Sequence, residues 1–347
     1  MKGILQRSSR LARKSTIEDV ARAAGVSVSA VDRVLNGRGG VRPAKEAAIL
    51  EAARRLRLDR NLSARPTRLV TICALISAPA NPFYASLHQA FERANRLFQN
   101  DNIQCFVRHI DVLAPKKSAA AIAAAAASHD ALIVICPEEP LIAAAVAQAA
   151  AAMPVVTLAS DLPRSGRLAY VGADNRAAGR LAGELMGKFL GAAGGAVVVV
   201  SGLHSYIGHE EREMGFRAAL RERYPACRLA AVVETRESQA RAGALVEQLF
   251  ARHPEIVGIY NVSTGDPEIA QVLRKSSPNR HVTFIAHELT PERRALLREG
   301  VIDAIIDQNP DLEAMTAVEA IAAHFGRRLF APMSGVTPLQ IFLRENS

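Results

Sequence analysis

Hydrophobic residues follow two different rhythms along this chain. Near its start they recur at helical period: Ile17, Val20, Ala21 and Ala24 form a stripe that ends at Gly25, and Ser15 and Glu18 stand at capping-box spacing before it. A second short helix is expected from about Val28 to Leu35, with Ser27 as its cap and Asn36-Gly37 as its stop. A third opens at Pro43, a residue favoured at a first helical position, and runs to about Leu58. The expected outcome is a compact three-helix module over 15–60, preceded by a basic arm (1–14) and followed by a polar linker (61–68).

From residue 69 onward the rhythm changes to short, continuous, β-branched runs separated by longer helical stretches. LVTICALIS, ALIVICP, PVVTLAS, AVVVVSG, EIVGIYN, HVTFIAH and DAIIDQ read as strands buried on both faces, the mark of a parallel sheet. Helical stretches are expected near 83–99, 117–127, 139–152, 175–190, 209–222, 237–252, 266–275 and 291–299. Repeated βα units over 69–347 predict two doubly wound parallel-sheet lobes rather than one sheet, so the fold class is a small all-α domain followed by α/β.

Composition agrees with a folded protein: 49% of residues are hydrophobic and 22% charged, too apolar for disorder. Charge adds an asymmetry. Residues 1–68 hold 16 Lys and Arg against 6 Asp and Glu, whereas the rest is nearly neutral with 27 against 28. The excess positive charge therefore belongs to the small domain, where it is either a nucleic-acid footprint or a solvated basic surface. Cys73, Cys105, Cys136 and Cys227 form no CxxC pair and no metal-ligand spacing, so reduced thiols and no metal or other cofactor are expected. The basic opening MKGILQRSSRLARK lacks an apolar segment, and charged residues interrupt the Ala-rich stretch 119–154; a cytoplasmic location without membrane contact is expected.

In TIEDVARAAGVSVSAVDRVLNG, Gly25 permits a tight turn, and Ala21, Val26, Val31 and Val34 fall where two crossed helices need apolar contacts. This is a helix-turn-helix pattern, which places its second helix in the major groove of DNA. Over these residues the chain resembles the lactose-repressor (LacI) family of transcription regulators, matching at Thr16, Asp19, Val20, Ala21, Ala24, Gly25, Val26, Ser27, Val31, Arg33, Val34, Leu35, Asn36 and Gly37. The resemblance implies that Val28, Ser29 and Arg33 face bases, that Ser27 and Asn36 lie near phosphates, and that Thr16 and Asn61 belong to the same DNA-binding set. Arg33 would contact guanine bidentately, or else a phosphate. Two departures stand out: Asp32 occupies a usual Ser position, and in the linker Asn61 and Ala64 are followed by Pro66 and Thr67, where the family's hinge helix carries a Leu that wedges into the minor groove.

The larger domain resembles the type I periplasmic sugar-binding fold that this family uses as its sensor, in which ligands sit beyond the carboxyl ends of strands. SAPANPFYASL is similar to the S-x-x-x-N-P-F-F of ribose-binding proteins, which puts Ser77 and Asn81 at sugar hydroxyls and Phe83 and Tyr84 against an apolar ring face; Phe83 and Tyr84 could equally open a helix as core residues. Asp161 resembles an acidic sugar ligand, or is a turn residue. Glu210 aligns with an Arg that faces the ligand in relatives, a charge reversal that argues against an acidic effector. Asn261, Glu288 (for the usual Asp) and Gln308 complete the set.

No GxSxG, P-loop, HExxH or strand-to-helix GxGxxG occurs, so no catalytic residues are expected. The expectation is a sequence-specific regulator that grips a double-stranded, approximately palindromic operator as a homodimer and answers to a sugar or polyol. The alternative is an exported sugar-binding protein with the same large fold.

Overall fold

The computed structural model describes residues 15–35, 40–56, 58, 68–277, 280–328 and 335–347. The chain divides into two compact units, residues up to Leu69 and essentially all of the chain from Val70 onward.

In the first unit, helices α1 (Ile17–Ala24), α2 (Val28–Leu35) and α3 (Pro43–Arg55) enclose Val20, Ala21, Val31, Val34, Ile49, Ala52, Ala53 and Leu58. The capping box lies one residue later than expected. Thr16, not Ser15, caps α1: its hydroxyl accepts from the Asp19 N–H, and the Asp19 carboxylate accepts from the Thr16 N–H at 3.0 Å. Asp19 wins over Glu18 because it stands three residues after a cap that is already extended, with φ −110° and ψ 168°. Ser15 instead donates its hydroxyl to the Leu56 carbonyl, tying the start of α1 to the end of α3. Gly25 adopts φ 64°, closing α1 with its N–H on the Ala21 and Arg22 carbonyls, and Ser27 then accepts from the Ala30 N–H at 3.2 Å to start α2.

The second unit is two six-stranded sheets. One orders as β11-β5-β4-β3-β1-β2 and is parallel throughout, from β1 (Val70–Ser77), β2 (Ile103–Ile110), β3 (Ala131–Val134), β4 (Val155–Leu158), β5 (Ala169–Ala173) and β11 (Val336–Thr337). The other orders as β12-β10-β9-β8-β6-β7, from β6 (Gly195–Ser201), β7 (Cys227–Glu234), β8 (Ile256–Asn261), β9 (Thr283–His287), β10 (Ala304–Asp307) and β12 (Gln340–Phe342). Its edge strand β12 runs antiparallel to β10, a departure from the all-parallel expectation. Helices α4 (Pro82–Phe98), α5 (Pro115–Ser128), α6 (Pro140–Ala150) and α12 (Pro310–His324) pack on the first sheet. Helices α7 (Asn175–Leu190), α8 (Ile207–Arg223), α9 (Gln239–Arg252), α10 (Asp266–Ser276) and α11 (Pro291–Glu299) serve the second.

The chain crosses between the lobes three times, from β5 into α7, from β10 into α12, and from β11 into β12. These crossings gather the carboxyl ends of both sheets around one cleft, the arrangement that places ligands in open α/β folds. At the first crossing α7 lies almost against α8. A Cβ on Gly179 would come within 1.9 Å of the Arg212 carbonyl oxygen, so only glycine allows this approach.

Candidate functional site

Two surfaces match the chemistry expected from the sequence, one exposed and one buried. On α2, Val28, Ser29 and Arg33 are all exposed while Val31 and Val34 on the opposite face are buried. At about 100° per residue, positions 28, 29 and 33 fall within one half of the helix circumference and Val31 and Val34 within the other. Thr16 and Ser27 sit at helix starts with their hydroxyls engaged as caps. Asn36 and Asn61, together with the linker residues Pro66 and Thr67, lie outside the described residues.

The buried surface is a cavity of about 40 Å3 between the lobes, with room for roughly three waters. Its first wall comes from the start of α4, where Asn81 caps the helix by accepting from the Phe83 N–H at 3.1 Å and Phe83 and Tyr84 follow. Ser160, after β4, completes that side. Opposite stand Tyr206, His209 and Arg212 at the start of α8, Glu237 after β7, Ser263 after β8, Glu288 after β9 and Gln308 after β10, with Asn175 at the crossing into α7.

Arg212 organises the interior. Its Nε donates to Asn175 Oδ1 at 2.7 Å, Nη2 to Gln308 Oε1 at 3.2 Å and Nη1 to the Val262 carbonyl at 3.4 Å. Gln308 in turn donates to Glu288 Oε1 at 2.7 Å, and Arg212 Nη1 lies 4.0 Å from the same oxygen. Several bonds span the lobes directly: Asn81 Nδ2 to Glu237 Oε2 at 3.2 Å, Tyr84 to Tyr206 at 3.3 Å between hydroxyls, and the Gly208 N–H to Ser160 Oγ at 3.2 Å. The protein's own groups thus occupy most of the cleft.

Burial sets the protonation of these groups. It pushes the Glu288 carboxyl up to about 8, helped by Asp307 and opposed by Arg212, Arg293 and the Gln308 hydrogen bond. Burial, and then Arg212, lowers His209 to about 3, so its imidazole is neutral. Glu237 is likewise raised by burial. Glu288 also holds φ 64°, a strained backbone for a non-glycine residue, of the kind that concentrates at functional sites.

Of the residues expected at the effector, Asn81, Phe83, Tyr84, Glu288 and Gln308 line this cavity together. The other four are not among the residues that line it. Ser77 lines an adjoining recess with His109, Asp111 and Arg236, and Asn81, Tyr84 and Glu237 border both that recess and the cavity. Asp161 is a local structural anchor: burial alone would raise its pKa, but hydrogen bonds from Arg167 and Thr157 outweigh that and hold it below the usual carboxylate range. Asn261 shapes its own loop, donating to Asp266 Oδ1 at 2.8 Å and accepting from the Ser263 N–H, which presents Ser263 instead. Glu210 is exposed, because the inner face of α8 carries 208 and 212, one helical turn apart. From GHEEREMGF it is Gly208, His209 and Arg212 that line the cleft, so a cationic Arg212 stands there and the charge of Glu210 does not.

Among the described residues there is no cluster positioned to hold a metal ion and no helix long and apolar enough to cross a membrane.

Comparison with known proteins follows the same division. Residues 72–327 match the periplasmic binding protein domain, and residues 16–61 match the bacterial regulatory proteins of the lacI family. Catabolite control protein A of Priestia megaterium is 39% identical over 80 residues, 22% of this chain and 24% of that protein, so the alignment spans only about a quarter of the curated relative. A solute-binding protein of an ABC transporter from Burkholderia graminis, solved with D-arabinose, superposes with a TM-score of 0.73 at 23% identity over 80% of this chain and 96% of its own. GanP, a glucose-galactose binding protein from Geobacillus stearothermophilus, gives 0.70 at 21% identity over 81% and 99%. At such identities these likenesses establish the fold.

Proposed function

Since the chain belongs to the lacI family of bacterial regulatory proteins and carries a periplasmic binding protein domain over most of its length, we propose that it is a DNA-binding transcription regulator whose operator affinity is set by a small polyhydroxylated effector bound between its two lobes. The observation that carries this reading is the pairing of an exposed α2 face bearing Val28, Ser29 and Arg33 with a cavity of amide, hydroxyl, carboxyl and aromatic groups at the carboxyl ends of two sheets. A helix N-terminal side chain such as Ser29 meets base edges when α2 enters the major groove, and Arg33, one turn further, reaches guanine O6 and N7. Thr16 and Ser27, at helix starts, would sit beside backbone phosphates, where free N–H groups and the helix dipole favour anions.

Effector binding shifts the balance between open and closed lobes by its differential affinity for the two. Asn81, Tyr84 and Ser160 on one side already bond to Glu237, Tyr206 and Gly208 on the other, so a ligand works by replacing or reinforcing those links. A homodimer reading two half-sites in the cytoplasm completes the proposal. The match of residues 16–61 to regulators favours this reading over an exported binding protein.

A thermal-shift panel of pentoses, hexoses, polyols and sugar phosphates tests the effector class, because a ligand specific for the folded state raises its melting temperature by mass action. A rise with one group of related carbohydrates is expected. A flat response across the whole panel would remove carbohydrates as the effector.

A further inference from the structure

Carboxyls outnumber cationic side chains among the described residues that line the cavity between the lobes. Glu237 and Glu288 both line it, whereas Arg212 is the only arginine or lysine among its described lining residues and His209 is neutral. Two further carboxyls lie within electrostatic reach of Glu288, that of Asp307 at the end of β10 and that of Glu313, fully buried in the first turn of α12. The nearby Arg293 is committed to Asp266 at 2.5 Å. Arg212 has already placed each of its three nitrogens on Asn175, Val262 and Gln308.

What remains open is one carboxyl oxygen. Glu288 is 95% buried by its 5% exposure, lines the cavity, and its Oε2 has no hydrogen-bond partner while Oε1 is held by Gln308. A buried carboxyl oxygen without a partner is costly: in the protonated state it needs an acceptor, and in the ionised state a donor. A neutral hydroxyl satisfies the protonated carboxyl and leaves its charge unchanged. An ammonium group supplies donor and charge together, and the rings of Phe83, Tyr84 and Tyr206 around it suit a desolvated cation.

We propose that the effector is a small polyhydroxylated amine, a protonated amino sugar or amino polyol, whose ammonium group donates to Glu288 Oε2. This rests on the cavity being the effector site. It has a proton signature. Glu288 is held up by burial and then by Asp307, against Arg212, Arg293 and the Gln308 amide, and it in turn raises the buried Glu313; the buried His287 and His209 are neutral. Near pH 7 it therefore carries a proton, which an adjacent ammonium expels.

Titration calorimetry of the full chain at pH 7, in two buffers of different ionisation enthalpy, tests this with matched probes: glucosamine against glucose, galactosamine against galactose, and glucamine against sorbitol, with the N-acetyl derivative of each amine. In at least one set the amine is expected to bind about tenfold more tightly than its neutral and acetylated counterparts, with release of most of a proton. Glu288→Gln should abolish both the preference and the proton release; if that variant does not fold, the acetylated probes make the same comparison on the native chain. Neutral or acetylated members binding as tightly as the amines would overturn the amine inference and leave the proposed function standing. Absence of binding by every probe would overturn both.

Discussion

The three-helix unit and the two-lobed unit place their recognition chemistry in opposite settings. On α2 the candidate readers Val28, Ser29 and Arg33 project into solvent, and the residues that hold the unit together, Val31 and Val34, lie on the other face. In the cleft the readers are themselves buried and bonded to one another: Arg212, Gln308 and Glu288 are exposed by only 5%, 2% and 5%. The first arrangement separates folding from recognition. The second merges them, so that a change in the cleft alters stability and binding at once.

The sharpest way to break that contrast is Arg212→Ala. It strands Asn175, Gln308 and Glu288 without their shared donor, and removing one partner of a buried charged network costs about 3–5 kcal/mol. Urea unfolding of the second unit should show this loss, together with loss of effector binding; an unchanged midpoint would mean that the network holds nothing in place. Gly179→Ala tests the same network from behind, since its new Cβ meets the Arg212 carbonyl at 1.9 Å. A destabilisation of about 1–3 kcal/mol is expected from overpacking, with weakened effector binding as α8 shifts.

The buried carboxyls should also leave a pH signature. A carboxyl raised in the folded chain is stabilising while protonated, and that contribution is lost as pH rises from its unfolded value of 4.5 through about 8. His209 and His287, lowered by burial, act in the opposite sense below 6.5. The window between pH 6.5 and 8 therefore isolates the carboxyls. Stability should fall across it, and Glu288→Gln should flatten the fall; equal slopes in both proteins would place the titration elsewhere.

On the exposed side the expectation reverses. Arg33→Ala should leave the unfolding midpoint within about 0.5 kcal/mol of the native protein, yet remove about 1–3 kcal/mol of discrimination at one base pair. Uniform weakening over all sequences would identify Arg33 as a phosphate contact. Thr16→Ala is the smallest perturbation, about 1 kcal/mol from a lost helix cap, visible in helix content on heating.

How far the fold was legible follows the same physics. Strands buried on both faces, such as β3 and β6, announce themselves as unbroken apolar runs. The edge strands β2 and β7 do not: β2 alternates Gln104, Phe106 and Arg108 outward against Ile103 and Cys105 inward, and no continuous run marks it. The short strands β5, β11 and β12 offer too few residues for any period, and α12, apolar over much of its surface because it is buried in the lobe, lacks the stripe of a surface helix. The site inherits these gaps. Asn81, Glu288 and Gln308 follow strands that were visible, whereas Glu237 follows the unrecognised β7. Arg212 was in view, but alignment by motif missed the helical phase that turns it inward and Glu210 outward.

A transcription regulator of this design requires that the exposed face of α2 read DNA sequence. The most direct measurement is selection from a random pool of DNA duplexes with the full chain, alongside Arg33→Ala. The expected result is enrichment of a site with two related half-sites by the native protein, and loss of preference at one symmetric position in the variant. Recovery of the pool without any preferred sequence would contradict it.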